Sequence, residues 1–219
     1  MKPVLVAIFA HPDDETFGPG GSIAVYAQTH DVYVICATRG QAGENRIDGD
    51  MTNLATIREQ ELITASNILG VKQVIFLDYM DGTLSNSIYH EVAADIRKII
   101  DPLKPEILMT YANNGASGHL DHVAISMITH YVFQQVDYVK KLLAFCLLKE
   151  QTDGWDDYFV YVPPGYTKDQ VDLFVDVSSV WETRIKAVYE HKTQLKDVEM
   201  VIEDLMLSDK TEPFLVIEK

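Results

Sequence analysis

Residues Val4–Glu15 read Val-Leu-Val-Ala-Ile-Phe-Ala-His-Pro-Asp-Asp-Glu. The aliphatic and aromatic run Val4–Phe9 predicts a buried strand. Pro12 ends the pairing of that strand because proline has no backbone N–H. An imidazole and two carboxylates therefore follow directly at the carboxyl end of the strand. A loop that only caps the next helix would have no use for His11 or for a second acid, so this stretch predicts a reactive site.

Composition limits the classes of protein to consider. The chain has 219 residues, 47% of them apolar, which predicts one globular domain over residues 1–219. The formal net charge of −15 argues against binding nucleic acid or an anionic membrane through a general electrostatic patch. No apolar stretch approaches the roughly 18–20 residues of a membrane-spanning helix, so no membrane insertion is expected.

The two cysteines indicate a cellular compartment. Cys36 and Cys146 each lie in an apolar, strand-like run, which favours buried thiols in a reducing environment over a disulfide framework. The short apolar run near the N-terminus lacks the features of a secretory signal. We therefore expect a cytoplasmic protein.

Strand-like and helix-like segments alternate along the first two thirds of the chain. This alternation predicts an α/β fold, a Rossmann-like, mostly parallel sheet with helices on both faces. The predicted strands are Val4–Phe9, Val32–Ala37, Val74–Leu77, Ile107–Thr110 and Leu142–Leu148. The predicted helices between them are Ser22–Thr29, Asn53–Leu69, Tyr89–Ile100 and one from the His119 region to about Gln135.

The last third of the chain has a weaker pattern. Phe159–Val162 and Leu173–Val177 are predicted as short strands. Trp181–Lys196 is predicted as one helix and Val198–Leu207 as another. Pro213–Ile217 is predicted as a terminal edge strand.

Ligands of parallel sheets bind at the carboxyl ends of the strands. The loops that begin at His11, Thr38, Asp78 and His119 should all lie at that edge. The glycine cluster Gly18–Gly21 follows a strand and precedes a helix, as in dinucleotide sites. Its spacing is not G-x-G-x-x-G, however, and the acids before it would repel a pyrophosphate.

Histidines and aspartates at these strand ends predict a metal site. His119 and His122 are three residues apart at the start of a helix, so both can face one side. With His11 and an aspartate they suggest two histidines and one carboxylate, a set that leaves one zinc position open. Zinc lowers the pKa of its water to about 7, and a nearby carboxylate can accept the proton. One of Asp13 and Asp14 could ligate the metal while the other accepts this proton.

The stretches His11–Glu15 and Gly118–His122 together resemble the LmbE/PIG-L family of zinc-dependent N-acetylglucosaminyl deacetylases. The resemblance extends to Arg58–Leu62, to Asp81-Gly82 and to His191–Gln194. It implies a Rossmann-like metal-dependent hydrolase that removes an N-acetyl group from an N-acetylglucosamine-type substrate. The reaction would use zinc-activated water and an aspartate general base.

The same resemblance implies a role for each matching residue. His11, Asp14 and His122 would bind one Zn²⁺ per chain. Asp13 would be the general base, His119 would stabilise the oxyanion or protonate the departing amine, and Asp121 would orient His119. The residues that would contact the substrate are Arg58, Asp81 and His191.

The residues themselves leave other interpretations open. Arg58 could pair with Glu61 on the helix surface, Asp81 could serve only its turn, and His191 could be a solvent or core histidine. Ser117 stands where several relatives carry a tyrosine that assists the oxyanion, so Tyr111 or another group would have to replace it.

Three other functions remain to be weighed. The first is a zinc amidase acting on a different N-acyl or thiol-conjugate substrate. The second is a magnesium phosphohydrolase built on Asp13 and Asp14, which the histidines disfavour. The third is a catalytically silent sugar- or metal-binding relative. The expected partner is a small-molecule amino sugar, and a homo-oligomer remains open.

Overall fold

The computed structural model describes residues 2–45, 47, 49–153 and 161–219. Seven strands in these ranges form one sheet. In chain order they are β1 (Val4–Phe9), β2 (Asp31–Thr38), β3 (Gln73–Tyr79), β4 (Ile107–Tyr111), β5 (Lys141–Phe145), β6 (Leu173–Asp176) and β7 (Thr211–Glu218).

The order of strands across the sheet is β3-β2-β1-β4-β5-β7-β6. Strands β1 to β5 pair in parallel, whereas β7 runs antiparallel to both β5 and β6. The prediction of a mostly parallel sheet is therefore confirmed.

Helices follow the strands and cover both faces of the sheet. In chain order they are α1 (Asp14–Phe17), α2 (Gly20–Ala27), α3 (Leu54–Leu69), α4 (Tyr89–Leu103), α5 (Leu120–Gln135), α6 (Lys149–Thr152), α7 (Trp181–Val188) and α8 (Leu195–Leu207). Short 3-10 turns occupy Lys168–Gln170, Ser178–Val180 and Lys192–Gln194.

Two apolar cores lie on opposite faces of the sheet because alternate side chains of a strand point in opposite directions. Leu5, Ala7 and Phe9 of β1 pack into a core with residues of α2, α3, α7 and α8. Val6 and Ile8 pack into the other core with residues of α4 and α5. Both faces of β1 are thus buried, which explains its continuous apolar sequence.

Two predictions for the last third of the chain were wrong. The helix predicted over Trp181–Lys196 ends at Val188, and the chain turns before α8 begins. The segment Pro213–Ile217 is not at the edge, because β7 lies between β5 and β6. Pairing on both sides leaves Phe214 fully buried.

Two further strand predictions need comment. The fifth strand ends at Phe145 and not at Leu148. The strand predicted over Phe159–Val162 falls partly outside the described residues, and its described part, residues 161–162, is not a strand. The single domain over residues 1–219 stays a prediction.

Both cysteines are buried free thiols, as predicted. Among the described residues, no helix combines the length and the apolar character that a transmembrane segment needs.

The sheet reverses its direction of winding at β1. The chain leaves β1 for β2 and β3 on one side and then crosses to β4 on the other. A crevice opens at such a switch point, at the carboxyl ends of the strands. The loops after β1 and β4, which carry His11 and His119, therefore meet there.

A buried carboxylate occupies the N-terminus of α2, the place where a dinucleotide phosphate would bind in other Rossmann-like folds. Glu212 of β7 accepts hydrogen bonds from the backbone N–H groups of Gly21 and Ser22, at 2.9 and 2.6 Å. The Nη1 atom of Arg184 lies 2.9 Å from Glu212 Oε1, and its Nη2 donates to the carbonyl oxygen of Gly18. This contact ties β7 and α7 to the loop beside the His11 segment.

We expect Glu212→Gln to lower the free energy of unfolding by about 3–5 kcal/mol, because Arg184 would remain buried without its counter-charge. Urea unfolding measures the loss. The matched control is Glu218→Gln on the same strand, whose ion pair with Lys141 is exposed and worth at most about 1 kcal/mol. Equal losses in the two variants would contradict this account of Glu212.

Candidate active site

The outer side of the His11 ring is held by two carboxylates. His11 Nε2 lies 3.0 Å from Asp81 Oδ1 and 3.3 Å from Asp121 Oδ2. Asp121 is itself fixed by the backbone N–H groups of Gly82 and Leu84, at 2.8 and 3.1 Å. In the neutral ring, a proton on Nε2 that is donated to a carboxylate leaves the lone pair on Nδ1, at the inner side of the ring.

The ring of His122 is oriented in the same manner from the opposite side of the crevice. Its Nδ1 lies 3.2 Å from the carbonyl oxygen of Gly115 and 3.1 Å from Ser117 Oγ. The ring of Tyr111 stacks on it, with centroids 4.7 Å apart and planes at 24°. A carbonyl oxygen only accepts, so Nδ1 carries the proton and Nε2 presents its lone pair inward.

Asp14 completes a set of three inward-facing donor atoms. Its Oδ2 accepts hydrogen bonds from the backbone N–H groups of Ala10 and His11, at 3.0 and 2.8 Å. Its Oδ1 lies 3.1 Å from His122 Nε2, and that nitrogen lies 3.1 Å from His11 Nδ1. His11 Nδ1 lies 3.8 Å from Asp14 Oδ2.

The two separations of 3.1 Å around His122 Nε2 fit a metal ion. Donor atoms around a tetrahedral zinc ion are about 3.3 Å apart, because each metal–ligand bond is about 2.0–2.1 Å long. Two lone pairs and a carboxylate oxygen at such separations repel one another unless a cation or a proton lies between them. The residues present therefore suit a divalent metal with nitrogen and oxygen ligands.

The pKa shifts of His11 and Asp14 show that the buried carboxylates of the cluster favour positive charge beside them. Burial acts to lower the pKa of His11, but hydrogen bonds to Asp121 and Asp81 and the charge of Asp14 outweigh it and raise this pKa to about 10. Burial acts to raise the pKa of Asp14, but His122 and His11 outweigh it and hold this pKa well below its usual range. Protonated histidine thus supplies the charge that a metal ion would supply.

Two further groupings of potential ligands share His11. Nitrogens of His11, His119 and His122 lie within 4.8 Å of one another, as do ligand atoms of His11, Asp81 and Asp121. The Nδ1 atom of His119 already accepts a hydrogen bond from the backbone N–H of Asp121, at 3.1 Å. The pair of Asp81 and Asp121 faces the outer nitrogen of His11, so that grouping lacks the inward arrangement of His11, Asp14 and His122.

Asp13 is held in a strained backbone conformation beside this set. Its φ of 123° is one that residues with side chains rarely adopt, at a cost of about 1–3 kcal/mol. Glu15 Oε2 accepts the backbone N–H of Asp13 at 3.1 Å, and Arg58 Nη2 donates to Asp13 Oδ2 at 2.8 Å. Burial raises the pKa of Asp13 to about 7, and the charge of Arg58 opposes this rise.

Arg58 reaches Asp13 through a space that glycine leaves open. Its Nη1 donates to the carbonyl oxygen of Gly40 at 2.9 Å. Gly40 has a φ of 65°, and a Cβ there would lie 2.4 Å from Arg58 Cζ. Arg58 is 4% exposed, so the surface pair with Glu61 is excluded. Arg58 also lines the cavity beside the metal cluster.

His119 is neutral in the ordinary pH range. Burial, followed by the charges of His122 and His11, lowers the pKa of His119 to about 4. Since its Nδ1 accepts a hydrogen bond from the N-terminus of α5, the proton of the neutral ring lies on Nε2.

Two predicted site residues occupy other positions than expected. The carboxylate of Asp121 contacts His11 and two backbone amides, whereas we expected it to orient His119; only the backbone N–H of Asp121 contacts the His119 ring. Asp81 lines the cavity, but one oxygen lies against His11 Nε2 and the other accepts the N–H of Ala42.

His191 is not among the residues that line the cavity, and its role as a substrate contact stays a prediction. It is fully buried, and its Nε2 lies 3.1 Å from Glu15 Oε1. It belongs to the turn between α7 and α8, where Thr193 donates its N–H and hydroxyl to Glu61, at 2.8 and 2.6 Å. The resemblance over His191–Gln194 thus marks a buried corner behind Asp13.

Three contributing residues were not assigned these roles from the sequence. Glu15 links Asp13 to His191. Ser117 contacts His122 and accepts the N–H of His119 at 3.3 Å. The hydroxyl of Tyr111 donates to the carbonyl oxygen of Asp14 at 3.4 Å. Adjacency to the two motifs is the only signal that could have indicated them.

Comparison with known proteins agrees with this arrangement. The family model described as PIG-L, GlcNAc-PI de-N-acetylase, matches residues 6–133, which include His11, Asp13, Asp14, His119 and His122. The chain belongs to the PIG-L family.

A curated relative of this PIG-L family chain is the 1D-myo-inositol 2-acetamido-2-deoxy-alpha-D-glucopyranoside deacetylase of Mycobacterium sp. (strain KMS). The two are 29% identical over 233 residues, covering 89% of this chain and 75% of the relative.

Two solved structures share the fold of the PIG-L family chain. The N,N'-diacetylchitobiose deacetylase of Pyrococcus horikoshii has a TM-score of 0.76 at 21% identity, covering 99% of this chain and 84% of that one. GalB of Pseudomonas putida KT2440, a 4-carboxy-2-hydroxymuconate hydratase, has a TM-score of 0.72 at 18% identity, covering 99% and 97%. A likeness at these identities shows the fold alone, and the fold serves more than one reaction.

The His191–Glu15 pair makes the stability of this PIG-L family chain depend on pH. Burial acts to lower the pKa of His191, but the charge and hydrogen bond of Glu15 outweigh it and raise this pKa. The pair's contribution is therefore fully present below the unfolded value of about 6.5 and is lost as pH rises through the raised pKa.

We expect His191→Gln to lower the free energy of unfolding more at pH 6 than at pH 9. Urea unfolding of both proteins in excess chelator measures the difference. The control is His90→Gln, an exposed histidine whose replacement should cost about 0.5 kcal/mol or less at either pH. An equal loss from His191→Gln at both pH values would contradict the ionised pair.

Proposed function

We propose that this chain is a zinc-dependent N-deacetylase that hydrolyses the acetamide of an N-acetylglucosamine-type substrate. One observation carries the proposal: His11 Nδ1, Asp14 Oδ1 and His122 Nε2 converge beside the buried carboxylate of Asp13. Membership of a de-N-acetylase family and the named activity of the mycobacterial relative support the reaction and the class of substrate.

His11, Asp14 and His122 would hold one zinc ion. Bound zinc supplies Lewis acidity, which polarises a carbonyl and lowers the pKa of water to about 7. Two nitrogens and one oxygen favour zinc over magnesium, which prefers an octahedral set of oxygens. Asp81 and Asp121 keep His11 in the tautomer that ligation requires.

Asp13 would accept a proton from the attacking water. Its pKa of about 7 without metal is near the value that suits a general base at neutral pH. Arg58 and Glu15 hold its carboxylate and its backbone in one orientation, so little reorganisation is needed when the substrate binds.

His119 would donate a hydrogen bond to the developing oxyanion. Its low pKa and the acceptor role of its Nδ1 favour a neutral ring that donates from Nε2. The alternative role that we considered, protonation of the departing amine, would need an imidazolium ion, which this low pKa disfavours.

Hydrolysis of an acetamide releases a free amine, and this is the first test of the proposal. We expect amine release from N-acetylglucosamine glycosides, abolished by a chelator and restored by zinc. A zinc-loaded protein that releases no amine from any N-acetyl compound would overturn the proposal. It would favour an amidase for another N-acyl or thiol-conjugate substrate, a reaction of the hydratase type, or a silent binding relative.

We expect His122→Ala to lose zinc and His119→Ala to retain it, although both lose activity. The reason is that His122 presents a free lone pair to the metal position, whereas His119 would act on the substrate. Metal content per chain after dialysis against free zinc, measured by atomic absorption, separates the two. Loss of zinc from His119→Ala would move His119 into the ligand set.

We expect Asp13→Ala to lower kcat by about 10²–10⁴-fold, the usual effect of removing a general base, while zinc content stays near one per chain. Amine release and metal analysis on the same sample measure both. Full activity in this variant would exclude Asp13 as the base, and loss of zinc would make it a ligand.

Three further expectations from the sequence belong to the proposal. A cytoplasmic location agrees with two free buried thiols. A small amino sugar is the expected partner from the family, and the net charge of −15 argues against nucleic acid. Assembly into a homo-oligomer stays a prediction.

A further inference from the structure

The cavity beside the metal cluster has two chemically different walls. Its volume is about 310 Å³, at the lower end of the range for small-molecule sites. Arg58, Asp81 and the cluster itself are polar parts of its lining. The apolar side chains of the same lining, called here the apolar wall, are Phe17, Phe145, Leu147, Met200 and Val201.

The apolar wall is continuous with the metal cluster. Tyr111 stacks on His122, and its ring centroid lies 6.4 Å from that of Phe145. Gly18 leaves room for Phe145, because a Cβ there would lie 3.4 Å from the Phe145 ring and 2.9 Å from the carbonyl oxygen of Asp14. A group bound against Phe145 would therefore lie next to the reacting amide.

Four of the five side chains of the wall have surface that a ligand could contact, whereas Phe145 is 4% exposed. Phe17, Leu147, Met200 and Val201 are each only partly buried, so the interior of the protein does not fully use their apolar surface. Covering that surface with an apolar group of a ligand would be favourable by the hydrophobic effect. Asp197 also lines the cavity, one turn earlier on the same helix.

Helix α8 supplies Met200 and Val201, and its start is fixed by the corner after α7. Thr193 is bonded to Glu61 of α3, and Gln194 Nε2 donates to the carbonyl oxygen of Glu44 at 2.7 Å. The wall is thus a built part of the site and not a loosely attached helix face.

Most of the wall lies outside the segment that defines the family. The family model matches residues 6–133, which contain the metal cluster, whereas Phe145, Leu147, Met200 and Val201 come later. The mycobacterial relative is named for an inositol glycoside, whose aglycone is a polyol. A polyol would leave the wall without an apolar partner.

We infer that the substrate carries an alkyl or aryl group next to the scissile amide, and that the apolar wall binds this group. The inference rests on the proposed zinc-dependent amide hydrolysis, and for one of the two sources below it replaces the acetyl group of that proposal with a longer acyl group. The group is either an N-acyl chain longer than acetyl or an apolar aglycone of the amino sugar. Both present the same aliphatic or aromatic surface to Phe145, Met200 and Val201.

The test compares matched pairs of compounds on the zinc-loaded protein. N-hexanoylglucosamine against N-acetylglucosamine tests the acyl source, and hexyl against methyl N-acetylglucosaminide tests the aglycone source. Each buried methylene is worth about three- to fourfold in affinity. With partial burial of the chain, we expect kcat/KM to be at least about tenfold higher for the hexyl or hexanoyl member of one pair.

Two variants assign the effect to the wall. Met200→Gln and Val201→Thr keep side-chain volume nearly unchanged and should reduce the preference to less than about threefold. The matched control is Met206→Gln, an exposed methionine on the same helix, which should leave the preference intact. A preference that survives both wall variants, or no preference in either pair, would overturn the inference.

A binding measurement separates this inference from the proposed function. Calorimetry compares hexyl glucoside with methyl glucoside, neither of which contains an amide to hydrolyse. If no compound releases amine, the proposed function fails. Tighter binding of hexyl glucoside that is lost in Met200→Gln would then still support an apolar subsite, and equal binding of the two glucosides would overturn it.

Discussion

The site depends on the repulsion among acids that converge on His11. Asp14, Asp81 and Asp121 all have an oxygen within 4 Å of its ring, and Asp13 lies close behind. Buried carboxylates in such proximity are tolerated only with compensating positive charge. Here the compensation comes from backbone N–H groups, from Arg58 and from the imidazoles. A divalent cation would complete it at the centre, which links the stability of this edge of the sheet to its chemistry.

The supporting layer matters as much as the inward-facing atoms. Asp81 and Asp121 select the tautomer of His11, and Gly115 selects that of His122. The backbone groups that fix these orientations belong to the loops after β2, β3 and β4, so ligand orientation is set by main-chain geometry. Such partners are known to tune both metal affinity and ligand orientation. Behind Asp13, the buried pair of Glu15 and His191 connects the same region to the corner before α8.

The parallel strands and the later elements of the chain contribute different parts of the site. The parallel half of the sheet, from β1 to β5, delivers every residue of the metal cluster from loops at one edge. The later elements add the antiparallel strand β7, whose Glu212 anchors α2, and the helix α8, which lines one side of the cavity. The metal cluster thus comes from the parallel part of the chain alone, whereas the cavity lining also draws on α8.

The sequence by itself determined the parallel α/β fold and the convergence of the His11 and His119 loops. Unbroken apolar runs read as doubly buried strands, and strand ends of a parallel sheet meet at one edge. It did not determine the break after Val188, the interior place of β7 or the partners of Arg58, Asp121 and His191. Those depend on contacts between residues far apart in the chain, such as Thr193 with Glu61 and Asp121 with His11. Local sequence preferences do not specify contacts between distant residues, so only the tertiary structure decided them.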